Sequence, residues 1–142
     1  MIVRSRTQDD LDGCVKALAE VQAADGYPVD WPDDPAGFLT PSDLAGAWVA
    51  VDDEGVAGHV GVTVGDAVTR LFVAPRARGR GLAVRLLEAL TVRPLTLEVS
   101  DEGKAAIALY ERAGWRRVGS DRAGWLNNAG EPALVHHYVL EE

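Results

Sequence analysis

One segment constrains this chain more than any other. Val68 to Arg93 reads VTRLFVAPRARGRGLAVRLLEALTVR: a β-rich run, a turn of Pro, Arg and Gly, then an amphipathic stretch. Val68 to Val73 favours a strand, and Pro75 cannot continue a central ladder. Leu82, Ala83, Leu86, Leu87 and Leu90 recur at helical spacing, which predicts a helix with one buried face. Between strand and helix, Gly79 and Gly81 let the backbone approach a ligand closely, while Arg76, Arg78 and Arg80 bring positive charge. Unpaired N–H groups at the helix start and the positive end of its dipole converge there, so the expected guest is a phosphate or pyrophosphate.

Common phosphate motifs are answered mostly by exclusion. A P-loop needs G-x-x-x-x-G-K-[ST], and no Lys follows either glycine. The dinucleotide fingerprint G-x-G-x-x-G is half met by Gly79 and Gly81, but Val84 stands at its third position. Glu98, at the end of the next strand, mimics the acid that holds a ribose, which keeps a dinucleotide-binding domain open as an alternative. Against it, Ala74 to Arg78 lengthen a turn that is short in that fold. A solvated Arg-rich turn without any ligand is the remaining reading.

Arg78, Gly81 and Ala83, within RGRGLA, resemble the acetyl-CoA signature [RQ]-x-x-G-x-[GA] of the GCN5-related N-acetyltransferase (GNAT) family. The frame starting at Arg76 also fits, but the distance from Val73 and the helix start favour Arg78. A second segment, LTLEVSDEGKAAIALYERAG from Leu95 to Gly114, is similar to the family's fifth strand and following helix. Its Leu109-Tyr110 pair and the Gly before an aromatic fall in the family's order and spacing.

The rest of the chain is read for its organisation. At 142 residues it suits a single domain, 1–142, with one substantial core. A formal net charge of -8 argues against nucleic acid as partner and favours cationic ones. Cys14 is the only cysteine, so no intrachain disulfide forms, and on a helical apolar face it reads as a small core residue. MIVRSRTQ is no signal peptide, and no apolar run approaches the roughly 20 residues a bilayer requires. The expectation is a cytoplasmic protein without membrane contact.

Met1 to Arg6 reads as a first strand, and Thr7 as the N-cap of a helix running to about Ala24 through Leu11, Cys14, Val15, Leu18 and Val21. Asp25 to Ser42, DGYPVDWPDDPAGFLTPS, holds at most a short helix near Pro35 to Leu39. It is either a surface loop pinned by its aromatics or a substrate wall. Its carboxylates would attract an ammonium group, and Tyr27, Trp31 and Phe38 offer faces for cations or apolar groups. Leu44 to Val51 and Val56 to Val64 form a hairpin around Asp52 to Gly55. In its second strand Val56, Val60, Val62 and Val64 share a face, with Ala57, His59 and Thr63 opposite. His59 is read as structural or solvated, with proton transfer as its other use. Leu95, Leu97 and Val99 alternate with Thr96, Glu98 and Ser100 in the next strand. Lys104 to Ala113 is helical, with Ala106, Leu109, Tyr110 and Ala113 as its stripe. Trp115 to Ser120 and Leu134 to Leu140 are the last strands, joined by a loop that carries Trp125. His136 and His137 face opposite ways, and no zinc spacing appears.

The resemblance implies an α/β (α+β) GNAT-like fold: a mixed, mostly antiparallel seven-stranded sheet with helices on both faces. It further implies acetyl transfer from acetyl-CoA directly to a primary amine. Backbone N–H groups of Gly79, Arg80, Gly81, Leu82, Ala83 and Val84, with Arg78, would bind the pyrophosphate, and Leu71, Phe72 and Val73 would pair with the pantetheine arm. Tyr110 corresponds to a general acid of the family, against a core aromatic by periodicity alone. Glu98 resembles the strand-five base of protein N-terminal acetyltransferases, with His59 or a water relay as alternatives. The Asp25 to Ser42 segment corresponds to one that commonly shapes the acceptor site, and a cationic, amine-bearing acceptor fits its charge. The protein would act as a monomer or homodimer. Gly103 stands where many relatives have asparagine, which leaves a non-catalytic acyl-CoA-binding or regulatory module as a second reading.

Overall fold

The computed structural model describes residues 1–142, which divide into two compact units: 1–65 with 69–91, and 66–68 with 92–142. The first unit carries a four-stranded sheet in the order β1-β2-β3-β4, with β1 Ile2–Ser5, β2 Leu44–Asp52, β3 Gly55–Thr63 and β4 Val68–Val73. β1 and β3 both run antiparallel to β2, with Ile2 opposite Val51 and Trp48 opposite Val60.

Helix α1, Leu11–Asp25, follows a single 3-10 turn at Gln8–Asp10. The Asp10 carboxylate accepts the Thr7 N–H at 2.7 Å and two bonds from Arg4 at 2.8 and 2.9 Å. The helix ends on Gly26, whose φ of +74° suits glycine, and whose N–H donates to the Gln22 carbonyl. Cys14, Ala17, Leu18 and Val21 bury its apolar face against Leu39, Val49, Phe72 and Ala74. Each such leucine contributes roughly 2 kcal/mol by leaving water. Helix α2, Pro35–Phe38, is the short helix expected in the Pro-rich segment; Asp34 accepts the Gly37 N–H at 3.1 Å and Pro35 fills the first turn.

The pattern read for β3 needs correction. Ala50 pairs with Gly58 but Val51 with Val56, so Ala57 bulges out of register and the alternation slips there. Val56 therefore joins the α1 side, where it packs on the Cys14–Phe72 core, and parts from Val60 and Val62. A Cβ on Gly58, on the other side, would stand 3.0 Å from Leu86 Cδ1. Helix α3, Leu82–Glu88, thus packs as close as glycine permits, with Leu82, Leu86 and Leu87 buried. Leu90 is also buried but lies past the helix, which tightens into i to i−3 bonds at Ala89 and Leu90 ahead of Pro94.

The second unit holds an antiparallel sheet in the order β5-β7-β6: β5 Leu95–Ser100, β7 Pro132–Leu140 and β6 Arg116–Leu126. Ala67 adds a parallel bridge to Thr96. Helix α4, Lys104–Arg112, buries Ile107 and Tyr110, whereas Ala113 of the expected stripe is exposed. Asp121 to Leu126 is strand rather than loop. Its polar sequence reads as turn, yet pairing of Arg122 with Leu134 and Leu126 with Pro132 extends the ladder. The turn shrinks to Asn127–Glu131, where the Asn127 side-chain oxygen accepts the N–H groups of Ala129 and Glu131. Trp125 accordingly sits in β6, half exposed. No helix is long and apolar enough to cross a membrane.

Candidate functional site

In the first unit the turn from β4 to α3 is built by local chemistry. Ala74 donates its N–H to the Ala57 carbonyl at 2.8 Å, and Pro75–Ala77 form one 3-10 turn. Gly79 and Gly81 follow with φ of +82° and +71°, a region that L side chains avoid. A Cβ at either would meet nothing within 4 Å, so backbone conformation, not crowding, calls for glycine there. The space above both is open. Gly81 is the N-cap of α3 and supplies no side-chain bond, which leaves the helix's first N–H groups without a side-chain partner at that cap.

The three arginines differ in what holds them. Arg76 donates to Asp52 at 2.7 Å, Glu54 at 3.2 Å and the Val56 carbonyl at 3.3 Å, which straps the turn to the β2–β3 hairpin. Its guanidinium holds the Asp52 carboxyl below the usual carboxylate range, chiefly through that hydrogen bond. Arg78 pairs with Asp25 at the end of α1 and reaches the Val73 carbonyl at 3.3 Å. Arg80 lies 3.5 Å from Asp52. The side chains of Arg78 and Arg80 are each more than 40% exposed, against 26% for Arg76. Exposed pairs of this kind are worth about 0–1 kcal/mol, so a polyphosphate can displace their carboxylates.

Leu71, Phe72 and Val73 lie in β4 directly after Arg70, a non-glycine residue with φ of +52°. Leu71 and Val73 are partly exposed, while Phe72 points into the α1 core. His59 is fully buried and stacks on Phe72 with ring centroids 5.3 Å apart. Burial, more than the nearby Arg6 and Arg70 charges, pulls its pKa down to about 4. A neutral, enclosed imidazole of this kind is structural. Cys14 is likewise enclosed, and burial raises its thiol to about 11. In the Pro-rich segment Asp25 and Asp34 are occupied by Arg78 and by the cap of α2, whereas Asp30, Asp33, Tyr27 and Trp31 reach solvent.

In the second unit Tyr110 is 7% exposed, tilted between Trp115 at 5.9 Å and Tyr138 at 6.4 Å. Glu98 stands on the other face of the same sheet. In register, Leu97 lies opposite Tyr138 and Glu98 opposite His137, and successive side chains alternate. Its carboxylate is 69% exposed and 3.4 Å from His137, which also reaches Asp121 at 3.2 Å. His136, on the opposite face, is bound by Asp101 at 2.8 Å and Ser120 at 2.6 Å. Sequence reasoning missed the bridging partners of both histidines, because cross-strand register is not visible in a single strand. Gly103 is the N-cap of α4 without a side-chain bond, and a Cβ there would stand 3.3 Å from the Ser100 carbonyl oxygen. No group of three or more His, Cys, Asp or Glu side chains is placed to hold a metal ion.

The fold is a mixed α/β arrangement in which the antiparallel ladders of β1-β2-β3 and β5-β7-β6 replace the parallel array a dinucleotide site requires. The sequence model described as "Acetyltransferase (GNAT) domain" matches residues 43–117, more than half of the chain. The chain belongs to the GNAT family of acetyltransferases, whose acetyl donor is acetyl-CoA. It is 31% identical over 87 residues to the peptidyl-lysine N-acetyltransferase YjaB of Salmonella typhimurium, a match that covers 60% of this chain and 58% of that protein. Arabidopsis thaliana NAA60 in complex with acetyl-CoA superposes with a TM-score of 0.74 at 20% identity, over 99% of this chain and 97% of that one. The ribosomal-protein-alanine N-acetyltransferase from Brucella melitensis does so at 0.74 and 18%, over the full length of both. These likenesses establish the fold.

Proposed function

We propose that this chain transfers the acetyl group of acetyl-CoA directly to a primary amine. One observation carries the reading: the R-x-x-G-x-A signature from Arg78 to Ala83 coincides with two positive-φ glycines under open space, at a helix start whose cap is only backbone. Backbone N–H groups from Gly79 to Val84 bind the pyrophosphate, with Arg78 and Arg80 as charged partners. Leu71 to Val73 pair with the pantetheine arm, and an N–H of that strand stabilises the developing oxyanion.

The chemistry divides between two residues of the second unit. Only a neutral amine has the lone pair to attack the thioester carbonyl. Glu98 accepts the amine proton, the carbon–nitrogen bond forms, the carbon–sulfur bond breaks, and Tyr110 gives its proton to the leaving thiolate. Glu98 lies on the sheet face opposite Tyr110, so the amine proton reaches it through a water relay and not by direct contact. The acceptor is a cationic small molecule or peptide. Exposed Asp30 and Asp33, with Tyr27 and Trp31, support a binding wall for such a group, and YjaB is by name a peptidyl-lysine acetyltransferase.

The test is thiol release from acetyl-CoA with a panel of lysine peptides, peptides with free N-termini and polyamines, alongside thermal shift with acetyl-CoA, CoA, NAD and ATP. Stabilisation by acetyl-CoA with amine-dependent release supports the reading. No response to CoA overturns it. Gly103 favours a second reading, because the N-cap of α4 lacks the side chain that many relatives offer the cofactor. An acyl-CoA-binding module would be stabilised by acetyl-CoA and release no thiol with any amine.

A further inference from the structure

One buried polar cluster of the first unit is left over by these roles. His59 on β3 uses both ring nitrogens: Nε2 lies 3.0 Å from an Arg6 guanidinium nitrogen and Nδ1 lies 2.8 Å from the Arg70 carbonyl oxygen. A guanidinium only donates, so Nε2 is the acceptor and the proton sits on Nδ1, donated to Arg70. Arg6 also donates to the Leu39 carbonyl at 2.7 Å and to Thr40 Oγ1 at 2.8 Å. Arg70 in turn donates its Nε–H to the Phe38 carbonyl at 3.0 Å and lies 4.1 Å over the Phe38 ring. The bonds close a circuit from Phe38–Thr40 through Arg6 and His59 to Arg70, and back to Phe38.

Two features mark the circuit as more than filling. Burying an imidazole and parts of two guanidinium groups costs desolvation that an apolar cluster of the same shape would avoid. At its centre, Arg70 holds a φ of +52°, a conformation that a non-glycine residue keeps only when its surroundings over-determine it. Leu71 is the next residue.

We propose that Arg6, His59 and Arg70 are a positioning brace that sets the end of the Pro-rich segment and the kinked start of β4 as one hydrogen-bonded unit. The functional meaning of those two segments, acceptor wall and pantetheine strand, rests on the acetyltransferase reading; the brace itself does not. His59 is the hinge between them, with one nitrogen committed to each side.

That division makes the brace separable. In His59→Asn the amide N–H takes the place of Nδ1 and keeps the bond to Arg70, while the Arg6 side is lost. In His59→Gln the longer side chain reaches the place of Nε2 and keeps Arg6, while the Arg70 side is lost. Hydrogen exchange on the full chain, folded state confirmed by circular dichroism, reads the two sides. The expected result is a protection loss of about 10-fold confined to Leu71–Val73 in His59→Gln, and confined to Leu39–Thr40 in His59→Asn. Kinetics follow the same split, with KM for acetyl-CoA rising in the Gln variant, KM for the amine rising in the Asn variant, and kcat nearly constant. Equal loosening of both segments in both variants, or of neither, overturns the brace. Absence of thiol release by the unsubstituted protein with every amine overturns the acetyltransferase reading instead, and the exchange data still decide the brace.

Discussion

Arg76 Nη1 donates to Asp52 Oδ2 at 2.7 Å, and this contact separates two arginines that look equivalent in the sequence. Arg76 is a strap between the β4–α3 turn and the β2–β3 hairpin, whereas Arg78 is more exposed and, apart from a 3.3 Å bond to the Val73 carbonyl of its own turn, pairs only with Asp25. Arg76→Ala should lower the melting temperature and leave affinity for acetyl-CoA within about 3-fold once the protein is folded. Arg78→Ala should hardly move the melting temperature and weaken acetyl-CoA binding by about 10-fold, the worth of one charge-assisted contact to phosphate. Thermal denaturation and isothermal titration calorimetry check the pair. The reverse assignment would place the signature in the Arg76 frame.

Gly79 and Gly81 offer a prediction that separates backbone from space. At φ of +82° and +71°, alanine costs about 1 kcal/mol of stability at each position, although neither Cβ would touch another atom. The added methyl groups project into the open space above the turn. Gly81→Ala should therefore weaken acetyl-CoA binding well beyond its effect on the urea midpoint, measured on the same samples.

These two cases also show which parts of the molecule were legible in sequence. Gly79 and Gly81 announce themselves, because a positive φ leaves few residue choices, and the leucines from Leu82 to Leu87 fix a helix by period alone. The bulge at Ala57 was not legible. It depends on which β2 residue faces which β3 residue, so strict alternation along β3 puts Val56 on the wrong side. Asp121–Leu126 read as loop for a similar reason, since β6 is an edge strand whose polar residues carry no burial signal. The site divided along the same line. The glycine turn was visible in one stretch, but His59 as a hinge required Arg6 and Arg70, 53 and 11 residues away.

Tyr110 and Glu98 should fail in different ways. Tyr110→Phe keeps the ring between Trp115 and Tyr138, while loss of the hydroxyl lowers kcat by about 100-fold or more with KM for acetyl-CoA unchanged. Glu98→Gln replaces an exposed carboxylate, and its deficit in kcat/KM should shrink as pH rises, because more of the amine is already neutral. A pH series of initial rates distinguishes the two. A flat deficit across pH for Glu98→Gln would remove it from the role of base.

His59 carries a pH dependence of stability that owes nothing to catalysis. Its pKa is about 4 when folded, chiefly through burial, against 6.5 ordinarily. Below about pH 6.5 the unfolded chain takes up a proton that the folded chain refuses, so the unfolded state binds more protons and stability falls as pH falls. The loss accumulates down to about pH 4, where the folded imidazole also protonates and the slope vanishes. At 1.36 kcal/mol per unit the full window amounts to about 3 kcal/mol. Asp10, held below the usual carboxylate range by its hydrogen bonds from Arg4, adds its own loss only at lower pH, as the solution approaches and passes its unfolded value of 3.8. Asp52 and Asp101, held below that value by Arg76 and by His136, behave as Asp10 does, so with urea midpoints at pH 7.0 and 4.8 it is the part of the change that His59→Gln removes that belongs to the histidine. The unsubstituted protein should lose about 2 kcal/mol between them, and His59→Gln should lose little of it, since glutamine does not titrate. An equal loss in both would assign the acid sensitivity to groups other than His59.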